Sequence, residues 1–487
     1  MGEISTKMHK NTPLPIQRQD GITPAERYLK RLCDHTFLSL WSYSRVFRYQ
    51  GGGKELCDLL VICGHHVVIF SDKDCTFPDT DDIRLSWCRW YRRAVADSAR
   101  QIWGAERWLK EPTRLFLDQA CSIPFPLTLP DPGTAIIHRV VVAHGVMDCC
   151  RKFFGGGSGS LIVNNSIKGE QHYGINECEP FMIGLVDPTR GFIHVLDDVS
   201  LDIVLKTLDT ITDFTTYLTA REALLTSGKA VFATGEEELL ALYLRDINPE
   251  GRHDFILPDC DTLLIQEGMW EQFIHHPQRR AQLHADQISY FWDELIERFS
   301  HHIQAGTQHR RSHDDVASNE KIIRFMAREP RVRRRMLANA IVDLDAKNQG
   351  QLRAVRVSIP SEQGEPHYVF LLLDRPPGMA YEEYREGSYK LLYAYCQATK
   401  VKFPDAEDIV GIAIGPLYWE ENSEDAIYLN AHDWTPEDQA EAESLRADLG
   451  LFKEMNMFYT EEKEYPAKSQ RYERGIPSYM NDESHFI

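Results

Sequence analysis

Two apolar runs, ELCDLLVI (from Glu55 to Ile62) and HVVIFSDK (His66 to Lys73), stand either side of a short polar break at Cys63 to His65. Runs this short, rich in β-branched residues and separated by a turn, predict adjacent antiparallel strands, the second spanning Val67 to Lys73. His65 and His66 then fall at the hairpin turn. Upstream, GITPAERYLKRLCDHTF opens with Thr23 as N-cap, Pro24 in the first turn and Glu26 three residues past the cap, so a helix begins there. Downstream, LSWCRWYRRAVADSARQIWGAERWLK places Trp90, Ala94, Gln101, Ala105 and Trp108 at helical spacing, with most arginines off that stripe. AIIHRVVVAHG follows as a buried strand joining the same sheet, so the order is helix, hairpin, helix, strand.

The later chain is read more coarsely. FFGGGSGSLI is a turn or flexible hairpin tip near a soft boundary. GFIHVLDDVS predicts a strand, then a helix from about Ser200. Residues from about Gly228 to Met336 read as helix-rich. Strands return at LRAVRVSI, HYVFLLL and DIVGIAIG, with a helix from Tyr381 to Thr399 before the last, loosely echoing the N-terminal order. The resulting division is a polar leader (1–21), an α/β unit (22–222, core 22–150), a helix-rich segment (228–340) and an α+β region (341–487) with an acidic C-terminal part. A chain of 487 residues suits two or three domains.

Charge changes this picture by its distribution. The net −19 argues against a nucleic-acid coat protein, but 17 acidic and 3 basic residues lie between Pro404 and Glu464. From Arg84 to Lys110 seven basic residues face only Asp97 and Glu106, and a second basic cluster runs from Arg310 to Arg335. DNA is therefore expected on these two patches, with the C-terminal half left for a homo-oligomer or partner protein. A helix containing the second cluster would break at Pro330 and spread its arginines over more than one face. Eleven scattered cysteines without CxxC spacing suit reduced, buried thiols better than disulfides or zinc. No apolar run is long enough to span a bilayer and the N-terminus has no apolar signal core, so a cytoplasmic protein without membrane contact is expected.

The segment QGGGKELCDLL raises a nucleotide-loop reading that fails on order, because its glycines precede a strand and Lys54 is followed by Glu55. The hairpin carries different chemistry. Asp58 lies within one strand, and Ser71, Asp72 and Lys73 end the other, with alternation placing Ser71 and Lys73 on one face. An aspartate inside an apolar strand is costly unless paired.

On ELCD, VVIFSDK and ARQIWGAERWL, the segment from about Ala25 to Gly145 resembles the PD-(D/E)xK, or restriction-endonuclease-like, nuclease superfamily. The resemblance implies an N-terminal restriction-endonuclease-like mixed sheet flanked by helices, ahead of a C-terminal α+β region. It also implies a Mg²⁺- or Mn²⁺-dependent endonuclease acting on DNA, as in bacterial defence systems, with Lys73 assisting a metal-bound water and Asp58 holding the ion. Ser71 stands where the family carries a carboxylate. Asp72 would replace it through a β-bulge, or Glu55 or Glu26 would complete the metal shell, and Gln101 matches a glutamine that several members turn toward the site. Glu26 is equally the capping partner of Thr23. If none of these carboxylates serves, the fold is an inactive module that binds nucleic acid or scaffolds a complex. A serine or cysteine hydrolase ranks last, there being no GxSxG elbow.

Overall fold

The computed structural model describes residues 20–49, 52–111, 114–257, 259–309, 316–360, 364–417, 424–457 and 462–466. All but the end of the expected leader lies outside these, as do Gln50, Gly51, Arg310 and Arg311. The chain is a mixed α/β protein, with three sheets among the described residues. In chain order the strands are β1 (Ser42–Arg48), β2 (Lys54–Cys63), β3 (His66–Lys73), β4 (Leu115–Phe116), β5 (Ile136–Ala143), β6 (Ile162–Lys168), β7 (Met182–Leu185), β8 (His194–Asp197), β9 (Ala230–Ala233), β10 (Thr262–Ile265), β11 (Arg353–Ser358), β12 (His367–Leu373), β13 (Asp408–Ile414) and β14 (Glu424–Asn430). The helices are α1 (Pro24–Phe37), α2 (Ile83–Tyr91), α3 (Asp97–Leu109), α4 (Met147–Phe154), α5 (Asp198–Thr207), α6 (Ile211–Thr226), α7 (Glu236–Arg245), α8 (Met269–His275), α9 (Pro277–Asp286), α10 (Tyr290–Ala305), α11 (Val316–Ala327), α12 (Arg331–Lys347), α13 (Tyr381–Lys402) and α14 (Pro436–Asp448).

The first sheet runs β4-β1-β2-β3-β5-β8. β1, β2 and β3 are antiparallel neighbours, while β3, β5 and β8 are parallel, so the carboxyl ends of these last three lie along one edge. The expected hairpin forms, one residue longer at both ends of β2, with Leu59 opposite Phe70 and Ile62 opposite Val67. His66 is not a turn residue: it begins β3, half-buried, and its Nδ1 lies 3.2 Å from Nε2 of the buried His138 on β5. α1 begins as its capping box requires, the Thr23 hydroxyl accepting from the Glu26 amide.

Tertiary packing splits what reads as one helix after the hairpin. α2 ends at Tyr91, a π-turn covers Arg92–Ala96, and α3 follows. The π-turn inserts an extra residue into the helical repeat, so the buried face passes from Trp90 and Ala94 to Ala99, Ile102, Ala105 and Leu109. Gln101, on the apolar stripe by simple spacing, is exposed at its border.

The glycine-rich stretch follows a helix and does not tip a hairpin: α4 ends on Gly155 in the left-handed conformation. The segment 228–340 is helix-rich, but β9 and β10 join β6 and β7 in a second sheet of order β10-β9-β6-β7. Three glutamates open α7, and each fixes a different element. Glu236 pairs with the buried Arg221 of α6 at 2.7 Å, Glu237 accepts from the Ser158 hydroxyl, and Glu238 caps α8 through the Gly268 and Trp270 amides, both at 2.8 Å.

The C-terminal sheet, β11-β12-β13-β14, repeats the N-terminal plan of an antiparallel pair, a helix and a parallel return strand. Its alternation divides the core. Tyr368, Phe370, Val410 and Ile412 join the main apolar core, which runs continuously from α1, whereas Val369, Leu371, Ile409 and Ala413 pack under α13 and α14. Gly411 permits that approach, since a Cβ there would lie 2.5 Å from Cys396 Sγ.

The last arginines of the second basic cluster are interior, which corrects their assignment to a DNA patch, whereas Lys321 and Arg328 are exposed. Pro330 does break the helix, as N-cap of α12, but Arg331, Arg334 and Arg335 are buried. Arg331 meets Asp209 at 2.9 Å and Asp293 at 2.8 Å, Arg334 meets Asp293 at 2.7 Å, and Arg335 meets Asp286 at 2.8 Å. Interior carboxylates recruited these cations, because a buried charge is tolerated only when paired and hydrogen-bonded. All eleven cysteines are unpaired, and no helix among the described residues is long and apolar enough to cross a membrane.

Candidate functional site

The residues of the expected hairpin site meet where β3 ends and β2 begins. Asp58 is largely buried, and its Oδ2 accepts from the Asp72 amide at 2.6 Å and the Ser71 hydroxyl at 3.2 Å. Ser71 Oγ also lies 3.3 Å from Gln101 Oε1, so α3 closes this face. Burial pushes the Asp58 carboxyl up, and the Asp72 amide and the Lys73 charge pull it back. Glu55, three residues earlier on β2, is also raised, by burial first and then by Asp58, while Arg45 lies 3.8 Å away as its counter-charge. Glu26 adds a weaker repulsion to Glu55, but its carboxylate already accepts from the Ile22 amide at 2.6 Å as a cap. Lys73 is half-buried and has no carboxylate within 4 Å among the described residues. Asp58, Ser71, Lys73 and Gln101 therefore gather at one sheet edge.

Asp72 belongs to the other face. β3 pairs with β5 from His66 to Lys73 without a register shift, so the bulge that would turn Asp72 toward Asp58 is absent from this pairing. Its carboxylate instead lies 2.8 Å from His144 Nε2, and His144 Nδ1 lies 2.7 Å from Asp198. The first of these is a charge contact without hydrogen-bond alignment, both Asp72 oxygens being otherwise unpartnered. Burial alone would depress the His144 pKa, but the two carboxylates outweigh it and push it up to about 10. Gly145, at φ +83°, completes the arrangement: its amide donates to Asp198 at 2.9 Å, and a Cβ there would strike the Cys75 carbonyl at 2.4 Å. Spacing gives no sign of His144 or Asp198, because they come from a different strand and helix.

The carboxylates have the oxygen chemistry of a hard divalent ion, yet the described residues contain no group of three His, Cys, Asp or Glu able to hold one. With Asp72 turned away and Glu26 spent on a cap, the donors as they stand do not fit a closed metal shell. The first basic cluster differs from the second: all seven side chains from Arg84 to Lys110 are exposed, and Arg93 donates to the Thr76 carbonyl just beyond Lys73. Compared with protein-family models, curated proteins and solved structures, the chain finds no match in any of the three.

Proposed function

We propose that this chain is a nuclease-like protein that binds the DNA backbone at the Asp58–Lys73 edge, with the exposed arginines of α2 and α3 extending the contact. The observation that supports this most directly is Lys73, a cation without a carboxylate partner among the described residues, beside the Ser71 hydroxyl and Gln101. A phosphate oxygen would accept from the Lys73 ammonium and the Gln101 amide nitrogen while the arginines neutralise neighbouring phosphates. Asp58 would keep the end of β3 in place through the Asp72 amide.

A second reading, Mg²⁺- or Mn²⁺-dependent hydrolysis, is favoured by the crowding of Glu55 against Asp58, which a cation would relieve. The acidic C-terminal part would remain clear of the nucleic acid and free for a partner protein or a second copy. Fluorescence anisotropy with labelled duplex and single-stranded DNA, beside a cleavage assay in Mg²⁺, Mn²⁺ or EDTA, tests both readings. The binding reading expects Lys73→Ala to weaken affinity about tenfold and reduce the salt slope by about one. Metal-dependent cutting lost in both Asp58→Ala and Lys73→Ala would establish the second reading. Absence of DNA binding at low salt would refute the first.

A further inference from the structure

A cavity of about 440 Å³ opens at the amino-terminal end of β8, the opposite edge of the parallel strands from Asp58 and Lys73. Leu185, Phe192 and Leu225 give it an apolar floor. Lys168, Arg190 and Lys229 also line it, against Asp187 and Glu222. Asp187 lies 3.4 Å from Arg190, and burial raises the Glu222 carboxyl above its ordinary value. Lys168 and Lys229 have no carboxylate within 4 Å among the described residues, which is unusual placement in a chain of net charge −19.

The walls are held in place without a ligand. Asn165 is buried and uses its amide three times, donating to the Leu225 carbonyl at 2.9 Å and the Lys229 carbonyl at 2.8 Å while accepting from the Val231 amide at 2.8 Å. Lys229 donates to the Cys260 carbonyl, which fixes its ammonium. Opposite, the Trp103 indole donates to the Gly191 carbonyl at 2.9 Å, and the Arg190 guanidinium lies 4.8 Å from the Trp103 ring centre. Preformed walls, an apolar floor and lining cations are the ordinary features of a small-ligand site of this volume.

We infer that this cavity binds a small organic anion of up to nucleotide size, its phosphate or carboxylate held by Lys168 and Lys229 and its body lying against Phe192. This site is independent of the proposed DNA edge. Isothermal titration of the full chain with adenosine monophosphate, phenyl phosphate, phenylacetate and uncharged adenosine tests it. At least one anion should bind saturably at roughly millimolar affinity or tighter, and adenosine about tenfold more weakly than its monophosphate. The phosphate and carboxylate arms distinguish which anionic group is taken. Lys168→Gln and Lys229→Gln should each weaken binding about tenfold, whereas Lys229→Arg retains it. Saturable binding by no anion, equal binding of adenosine and its monophosphate, or unchanged binding in both glutamine variants would overturn the inference. So would loss of binding in Lys73→Ala, which would move the anion to the other edge.

Discussion

Replacing Arg334 by alanine removes a side chain with no measurable exposure and three interior contacts: Asp293 at 2.7 Å, the Ala327 carbonyl at 2.6 Å and the Glu329 carbonyl at 2.9 Å. Asp293 retains Arg331 at 2.8 Å, so it keeps one cation and loses only part of its compensation. The two carbonyls close the C-terminal end of α11 and would be left unsatisfied, at about 1–3 kcal/mol each. With the partial loss at Asp293, the total is about 5 kcal/mol, a large share of the roughly 5–15 kcal/mol that stabilises a typical protein. At about 2 °C per kcal/mol for a long chain, the melting transition should fall by roughly 10 °C in calorimetry. Arg334→Lys should be intermediate, because one ammonium cannot reproduce a fork of three separated contacts. A change below about 1 kcal/mol, or weaker DNA binding at unchanged stability, would refute the reasoning and return α12 to the nucleic-acid surface.

Acid should loosen the first sheet. Burial holds His66 down to about 4 and His138 down to about 3, and His194 falls well below its ordinary value. The unfolded chain takes up these protons first, so stability falls as pH drops from about 6.5 toward 4, on the order of 3 kcal/mol per buried histidine. His138→Gln should flatten that loss in urea titrations at stepped pH, and an unchanged slope would count against it. His144 has the opposite sign. Its raised pKa makes its contribution complete below about 6.5 and lost as pH rises through about 10, so His144→Gln should lose more stability at pH 6 than at pH 10. Arg89→Ala with Arg93→Ala should weaken DNA binding and flatten its salt dependence, and an unaltered slope would assign both residues to a solvated helix face.

The sequence by itself determined the elements whose signals are local. The capping box at Thr23 and Glu26, the hairpin from β2 to β3 and the apolar run of β5 each carry enough periodic positions, or a specific enough end signal, to survive packing. The approach of Asp58, Ser71 and Lys73 was legible for the same reason, since one hairpin fixes their spacing. Tertiary structure decided the rest. β7, β9 and β10 have four residues each, too few for alternation to distinguish a strand from a loop. The π-turn between α2 and α3 shifts the buried face by one residue and leaves Gln101 at the site's border, a displacement that regular helical spacing does not contain. Arg331, Arg334 and Arg335 look like surface charge until the α5–α6 connection, α9 and α10 bring Asp209, Asp286 and Asp293 to them from far along the chain. A strand's alternation turned Asp72 from Asp58, but only the fold brought His144 and Asp198 to meet it. An ionisable side chain takes its role from the partners that desolvation forces upon it, and those partners are chosen by the packing of distant elements.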